Sequence, residues 1–395
     1  MAGIADSLFP VLTTLWLAGS AFTVAGVYIY RSRLVFKPLV KTRPPIAVII
    51  PVRGASPNLA MLWKALRSQS YSKFRVLFAV ESEHDPAHRA LKSLIARARR
   101  PAAKIVVAGL AHDEGQKVRN QRAAMAQLRR GDKIVVFADA DIAPTPQWLA
   151  EIADLLATRS AMIVSGYRWM VPGDRRLSTA FACAINDAIA SQPRLSVLSL
   201  AWGGTLAVWR ETLERIDADG TLKGSLNDDL QLTRAANAAG SVVETPPHML
   251  LRTTVGFGWR ELIEFSRRQY IQIRIYAPEF WAVAAFATAL PILGWAVAVP
   301  LALAGDLRAI GALAAAIALH QTRVILRLEI PRKLWGVEQD RTVTLLDRWA
   351  APISTLIHAA LIWSTLFART LRWGGRLYRI DAPQQVRILE RDRGT

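Results

Sequence analysis

The chain has 395 residues, enough for one or two domains that each bury a core. Hydrophobic residues make up 52% of it and the mean hydropathy is +0.21, which argues against a purely soluble protein. A formal net charge of +19 implies anionic partners, and 13 tryptophans with apolar chain ends favour a membrane surface over nucleic acid, since indole prefers the bilayer interface.

In chain order, residues 8–30 (LFPVLTTLWLAGSAFTVAGVYIY) are apolar and uncharged. As a helix they match a hydrocarbon core of roughly 30 Å. Arg31, Arg33, Lys37, Lys41 and Arg43 follow, so the positive-inside rule puts the next segment in the cytoplasm. A cleaved signal peptide fits poorly, because Asp6 stands where a basic leader should. We read 1–43 as an anchor with its basic flank.

Residues 44–250 alternate strands and helices. Strands are predicted at 46–52, 74–80, 104–110, 133–141 and 161–167, with helical patterns at 57–69 and 117–130. This series predicts an α/β domain with a mostly parallel sheet, whose ligands bind beyond the carboxyl ends of the strands. Residues 251–280 are basic and aromatic, which predicts helices lying on a membrane surface. Apolar stretches at 281–304, 307–327 and 350–368 form a C-terminal membrane region, and the basic 369–395 is read as a cytoplasmic tail. The loop 328–348 is also basic. Three full crossings from inside would leave that tail outside, so one stretch must be re-entrant or interfacial. The short 350–368, with Pro352 and His358, is the candidate.

The sharpest chemical signal is Asp139-Ala140-Asp141, directly after the apolar run Ile134–Phe137. Two carboxylates at a strand's carboxyl end can converge on one hard cation, Mn²⁺ or Mg²⁺, which bridges diphosphate oxygens. The alternative is a solvated acidic turn. Asp228-Asp229, before an amphipathic stretch 230–239, reads either as a helix cap or, beside a nucleotide-sugar site, as a general base. Trp202-Gly203-Gly204 reads as an acceptor-facing loop or as a plain turn before a strand at 205–209. His112, Asp113 and His248 read as solvated or structural, and Cys183, the single cysteine, as part of an apolar helix at 177–190. No zinc-ligand spacing, phosphate-binding P-loop or GxSxG is present.

From 46 to 380 the chain resembles the ceramide glucosyltransferase family, a membrane branch of the inverting GT-A glycosyltransferases. Seven elements carry the resemblance in order: IIPVRGASPNL (49–59), HDPAHRAL (84–91), GQKVRNQ (115–121), FADADI (137–142), WGGTLAVWRETL (202–213), NDDLQLTRA (227–235) and RWGGRLYRI (372–380). It implies a GT-A-like, Rossmann-type fold, a UDP-sugar donor and a lipid acceptor. Asp139 and Asp141 would be the metal and diphosphate aspartates, Asp229 the base and Asp228 its acidic neighbour, with Pro51, Arg53 and Lys117 near the nucleotide. Two departures stand out. Where the family carries a uridine-contacting aspartate this chain has Ser82, flanked by Glu81 and Glu83, and either glutamate or Ser82 itself is expected to make that donor contact instead. Where the family carries Arg/Gln-x-x-Arg-Trp, this chain has Ser266 to Tyr270, with Arg267 and Arg268 as diphosphate partners.

The expected activity is transfer of a hexose, glucose or galactose, to ceramide at a cell inner membrane, with hopanoid or diacylglycerol as other acceptors. A processive polysaccharide synthase would need more crossings and an intact Arg/Gln-x-x-Arg-Trp element. A scaffold that has lost catalysis fits the two departures but not the retained Asp139, Asp141 and Asp229.

Overall fold

The computed structural model describes residues 2–35, 43–54, 58–98, 100–158, 162–192 and 199–391. Lys37 and Lys41 of the basic flank, and the last four residues of the expected tail, lie outside the described residues. A long helix, α1 (Ala2–Ser32), leads into β1 (Ile46–Pro51), α2 (Asn58–Arg67), β2 (Phe74–Val80), α3 (Pro86–Ala96), β3 (Ala102–Val107), α4 (Gln116–Met125), β4 (Ile134–Phe137) and α5 (Trp148–Thr158). Next come β5 (Met162–Ser165), β6 (Tyr167–Pro172), α6 (Leu177–Ala190), β7 (Leu206–Trp209), α7 (Arg210–Arg215), α8 (Ala218–Leu222), α9 (Asp228–Ala238), β8 (Val242–Glu244) and β9 (Leu250–Val255).

Seven strands form one sheet in the order β3-β2-β1-β4-β7-β5-β8. Only β7 runs antiparallel to its neighbours. The run IAVIIP is apolar at almost every position because β1 is central and covered on both faces. Its period of two divides the core. Val48 and Ile50 pack with Leu62, Trp63 and Trp148 of α2 and α5 on one face. Ile49 and Phe137 pack with Val118, Leu213 and Leu232 of α4, α7 and α9 on the other. This arrangement brings the carboxyl ends of β1, β2 and β4 together along one edge.

β6 and β9 form a separate parallel pair, Tyr167 opposite Leu250. Residues 251–255, expected as interfacial helix, are therefore strand. The segment LLRTTV alternates buried and exposed positions and carries β-branched residues, a strand's pattern that the surrounding basic and aromatic residues obscure. The helix proper is α10 (Trp259–Tyr276).

Then follow α11 (Pro278–Leu303), α12 (Leu307–Trp335), α13 (Arg341–Trp349) and α14 (Ala351–Trp363). Among the described residues, three helical segments are long and apolar enough to cross a membrane: Phe9–Ser32, Pro278–Leu303 and Leu307–Trp335. At one end Phe9 clusters with Ala309 and Ala312, and at the other Arg31 pairs with Glu329 at 2.5 Å. So α1 and α12 run parallel in direct contact, α11 runs antiparallel against both, and both α1 and α12 end beside the sheet domain. α14 has 13 residues. At about 1.5 Å per residue it is well short of a hydrocarbon core of about 30 Å.

The segment read as a basic tail is instead an antiparallel sheet, β10 (Thr370–Trp373), β11 (Arg376–Ala382) and β12 (Gln385–Arg391). Gly374 and Gly375 turn the first hairpin with φ of 54° and 69°, the left-handed pair of a tight two-residue turn. The sheet docks by burying Leu371, Tyr378, Ile380 and Val386 against Leu226, Leu230, Ile271 and Tyr276.

Candidate active site

The residues at the sheet's edge converge on Lys117. It lies in the first turn of α4, and its ammonium sits 2.8 Å from Asp139 Oδ1 and 3.1 Å from Asp228 Oδ1. Burial disfavours the ammonium, but Asp139, Asp228 and Asp229 outweigh that and hold its pKa above the usual lysine value. Asp139 and Asp141 follow β4, where the apolar run ends and the chain turns at the mouth of the cleft. Desolvation, and then Asp139, push the Asp141 carboxyl up, with Arg168 and Lys117 pulling the other way.

Asn227 caps α9 by accepting from Leu230 N–H at 2.7 Å, which frees the acidic pair from the capping role alone. Asp228 is buried and accepts from Gln121 Nε2 at 2.6 Å. Asp229 Oδ2 accepts from Gly203 N–H at 2.6 Å, and its Oδ1 from Leu230 N–H at 2.8 Å. Desolvation, then Asp228, raise the Asp229 carboxyl to about 6, against the pull of Lys117 and Gly203.

The Trp-Gly-Gly loop is built for close approach. A Cβ on Gly203 would lie 2.6 Å from Lys117 Nζ and 3.2 Å from Asp229 Oδ2. On Gly204 it would overlap the Trp202 ring at 2.1 Å. Trp202 N–H donates to Ser165 Oγ at 2.8 Å, which fixes the loop to β5.

Two guanidinium groups border the cleft. Arg168 stacks 5.0 Å from the Trp202 ring and 5.6 Å from the Phe265 ring. Arg268 lies 5.3 Å from Phe265 and 5.7 Å from Trp373. Burial, then Arg168, draw the Arg268 pKa down to about 10, so this is a desolvated, like-charged pair suited to an anion. Arg267 is not brought to the cleft, since its Nη1 donates to the Ser364 carbonyl at 2.6 Å.

At the ends of β1 and β2, Pro51 closes the sheet and Arg53 stands 3.9 Å from Glu81. Glu81 is held at 2.7 Å by Arg376 of β11. Ser82 begins a turn by accepting from Asp85 N–H at 3.3 Å. The Gly374 turn closes this corner, where an added Cβ would stand 2.8 Å from an Arg53 guanidinium nitrogen.

A family model described as glycosyl transferase family 21 matches residues 12–386. The chain belongs to glycosyl transferase family 21. Ceramide glucosyltransferase 1 of Caenorhabditis elegans is 28% identical over 121 residues, and the match spans 31% of this chain and 26% of that relative's length. Among solved structures, a mannosyltransferase from Pyrobaculum calidifontis in complex with GDP-Man and Mn²⁺ superposes with a TM-score of 0.47 at 18% identity, covering 89% of this chain and 99% of its own. TarS 1–349 of S. aureus in complex with UDP-GlcNAc gives a TM-score of 0.40 at 12% identity, covering 88% of this chain and 100% of its own.

The family membership confirms the ceramide glucosyltransferase resemblance read from the motifs, and with the sheet order it makes this a GT-A-like glycosyltransferase. Among the described residues no three His, Cys, Asp or Glu side chains converge on a cation site. The pair Asp139 and Asp141 nevertheless fits a hard divalent ion that takes one or two carboxylates and completes its shell with substrate phosphate and water. Lys117 adds a positive charge beside Asp139. Sequence reasoning missed Arg168, Gln121 and Arg376. An arginine inside the apolar strand YRWMVP was the one available signal for Arg168. Arg376 stands inside the RWGGRLYRI element, but nothing there marks its partner, Glu81, 295 residues away.

Proposed function

We propose that this family 21 glycosyltransferase moves a hexose from a nucleotide diphosphate sugar to the hydroxyl of a membrane lipid, ceramide first among the candidates. The observation that carries the reading is the placement of Asp229. Its carboxylate shares a corner with Lys117 and Asp139, while a file of aromatic side chains leads from that corner to the short apolar helix α14. Trp202 contacts Tyr167 with ring centres 6.0 Å apart. Tyr270 contacts His358 of α14 through both ring and hydroxyl. Tyr167 lies near enough to Tyr270 to add to the burial that pushes its phenol up. A lipid hydroxyl entering along this file meets Asp229 with its chains still among the apolar helices.

In this reading Asp229 takes the proton from the acceptor hydroxyl as the oxygen attacks the anomeric carbon in line, inverting it. A divalent ion held by Asp139 and Asp141 would neutralise charge on the departing diphosphate. Arg168 and Arg268 bind and orient that diphosphate. Arg53 and Pro51 border the nucleoside, and Glu81, held by Arg376, offers its second carboxylate oxygen where Ser82 has replaced the family's aspartate. Residues 44–250 are the catalytic unit, completed by 251–280 and the C-terminal sheet. By the positive-inside rule this unit faces the cytoplasm at the inner membrane.

The test uses detergent-purified protein with Mn²⁺ or Mg²⁺, radiolabelled UDP-glucose or UDP-galactose and a total lipid extract. Label should enter the organic phase and vanish with EDTA, and the labelled band identifies the acceptor. Donor hydrolysis without lipid labelling would remove the lipid acceptor from the reading. No turnover of any donor by folded protein would remove the enzyme.

A further inference from the structure

A second charged site lies away from the catalytic cleft, where α12 meets α13. A cavity of about 280 Å³ opens there between the last turns of α12 and the outer face of α13. Its wall holds three guanidinium groups, Arg332, Arg341 and Arg348, against one carboxylate, Glu338, which pairs with Arg332 at 2.7 Å. Leu345 and Trp349 supply the apolar part of the wall.

The site is held rigidly. Arg348 Nε donates to Gln321 Oε1 at 3.0 Å, and Gln321 Nε2 returns a bond to the Arg348 carbonyl at 2.8 Å. One residue earlier, Asp347 pairs with the buried Arg327 and its carbonyl meets His320 at 2.7 Å. These contacts fix α13 across α12, with the Arg348 guanidinium 6.0 Å from the Trp349 ring and its terminal nitrogens making no hydrogen bond or ion pair among the described residues. Arg341 makes no hydrogen bond or ion pair with the described residues.

The position of the cavity indicates its occupant. α12 is long and apolar enough to span a membrane, and the cavity sits at its end beside the sheet domain. Trp349 is 69% exposed and Leu345 49%, and the next turns of α14 add Ile353 and Leu356 to the same exposed apolar surface. An indole beside arginines at the end of a spanning helix sits at headgroup depth. A phosphate there finds guanidinium donors, and acyl chains find the apolar face of α14 below. We propose that this cavity binds the phosphate headgroup of an anionic glycerophospholipid from the leaflet on the catalytic side. The proposal does not depend on the sugar or acceptor.

The experiment uses the full chain in nanodiscs of phosphatidylcholine with a minor fraction of phosphatidylglycerol, followed by detergent release and native mass spectrometry of retained lipid. Wild type should retain phosphatidylglycerol over phosphatidylcholine by about tenfold or more, given the contribution of each basic group near an anionic surface. Arg341→Gln/Arg348→Gln should lose that preference. Because Arg348 also braces α13, the single variant Arg341→Glu, which breaks no contact, should lower the preference by itself. If both variants keep wild-type selectivity, the proposal is wrong. Displacement of phosphatidylglycerol by inorganic phosphate at low millimolar concentration would also overturn it, making this a site for free phosphate.

Discussion

Asp229 carries a pKa of about 6 because it is half-buried and desolvated beside the buried Asp228 carboxylate, and Lys117 only partly offsets that. A raised carboxylate pKa means the group is protonated and useless as a base at acid pH, and becomes the active carboxylate as pH climbs through 6. Transfer should therefore rise with pH across an acid limb near 6 and level off above it. Asp228→Asn removes the neighbouring charge that helps raise Asp229, so the limb should move to lower pH. A limb that stays put in this variant would separate the pH dependence from Asp229. Asp229→Asn should lower kcat by roughly 10²–10⁴-fold, the usual range for general base catalysis, and leave donor affinity nearly intact. Asp141→Ala should weaken metal-dependent donor binding itself, read by calorimetry with a donor analogue. These acidic residues were legible in the sequence because each stands at a boundary that local pattern reveals: a strand's end for Asp139 and Asp141, a helix's start for Asp228 and Asp229. The alternative for the second pair, a cap, is filled by Asn227 instead. Arg168 and Gln121 were not legible, since their roles depend on partners that only the folded sheet brings near.

Among the elements, the C-terminal sheet is the one whose role sequence hid. Basic residues dominate 369–391, yet Tyr378, Ile380 and Val386 keep the alternation of a strand with one buried face. Short strands of mixed charge give a weak periodic signal, whereas the long apolar runs of β1, β2 and β4 give a strong one, which is why the sheet domain was legible and this sheet was not. Its docking places Arg376 on Glu81 and the Gly374 turn on Arg53. Ile380 is fully buried, so Ile380→Ala should cost about 2–5 kcal/mol of stability, seen as a lowered unfolding temperature in detergent. Arg376→Gln removes a charge-assisted bond and leaves the half-buried Glu81 without its main partner. Donor KM should rise roughly tenfold with kcat little changed, because neither residue faces the acceptor. A fall in kcat at unchanged KM would place Arg376 in the chemical step instead.

For the whole molecule, the count of crossings follows from helix length and from which helix ends meet. Charge alone left a conflict of parity, since three apolar stretches after an inward anchor would carry the basic C-terminus outside. α14, at 13 residues, cannot span, and the Arg31–Glu329 pair places the ends of α1 and α12 on one side. With α11 leading away from the sheet domain and α12 leading back to it, the catalytic unit and the C-terminal sheet share a side, as their packing requires. The turn between α11 and α12 then lies on the far side with the start of α1. Cys183 is buried and is the chain's one cysteine, so the protein offers a quiet background for labelling. Leu303→Cys, at an 84% exposed position beside that turn, should react with a membrane-impermeant maleimide in intact cells. Gln385→Cys, exposed in the hairpin between β11 and β12, should react only after permeabilisation. The opposite pattern would turn the molecule over and put the donor site outside the cytoplasm. Labelling of both from outside would break the three-crossing arrangement, because the packed sheet cannot lie on the side opposite its own domain.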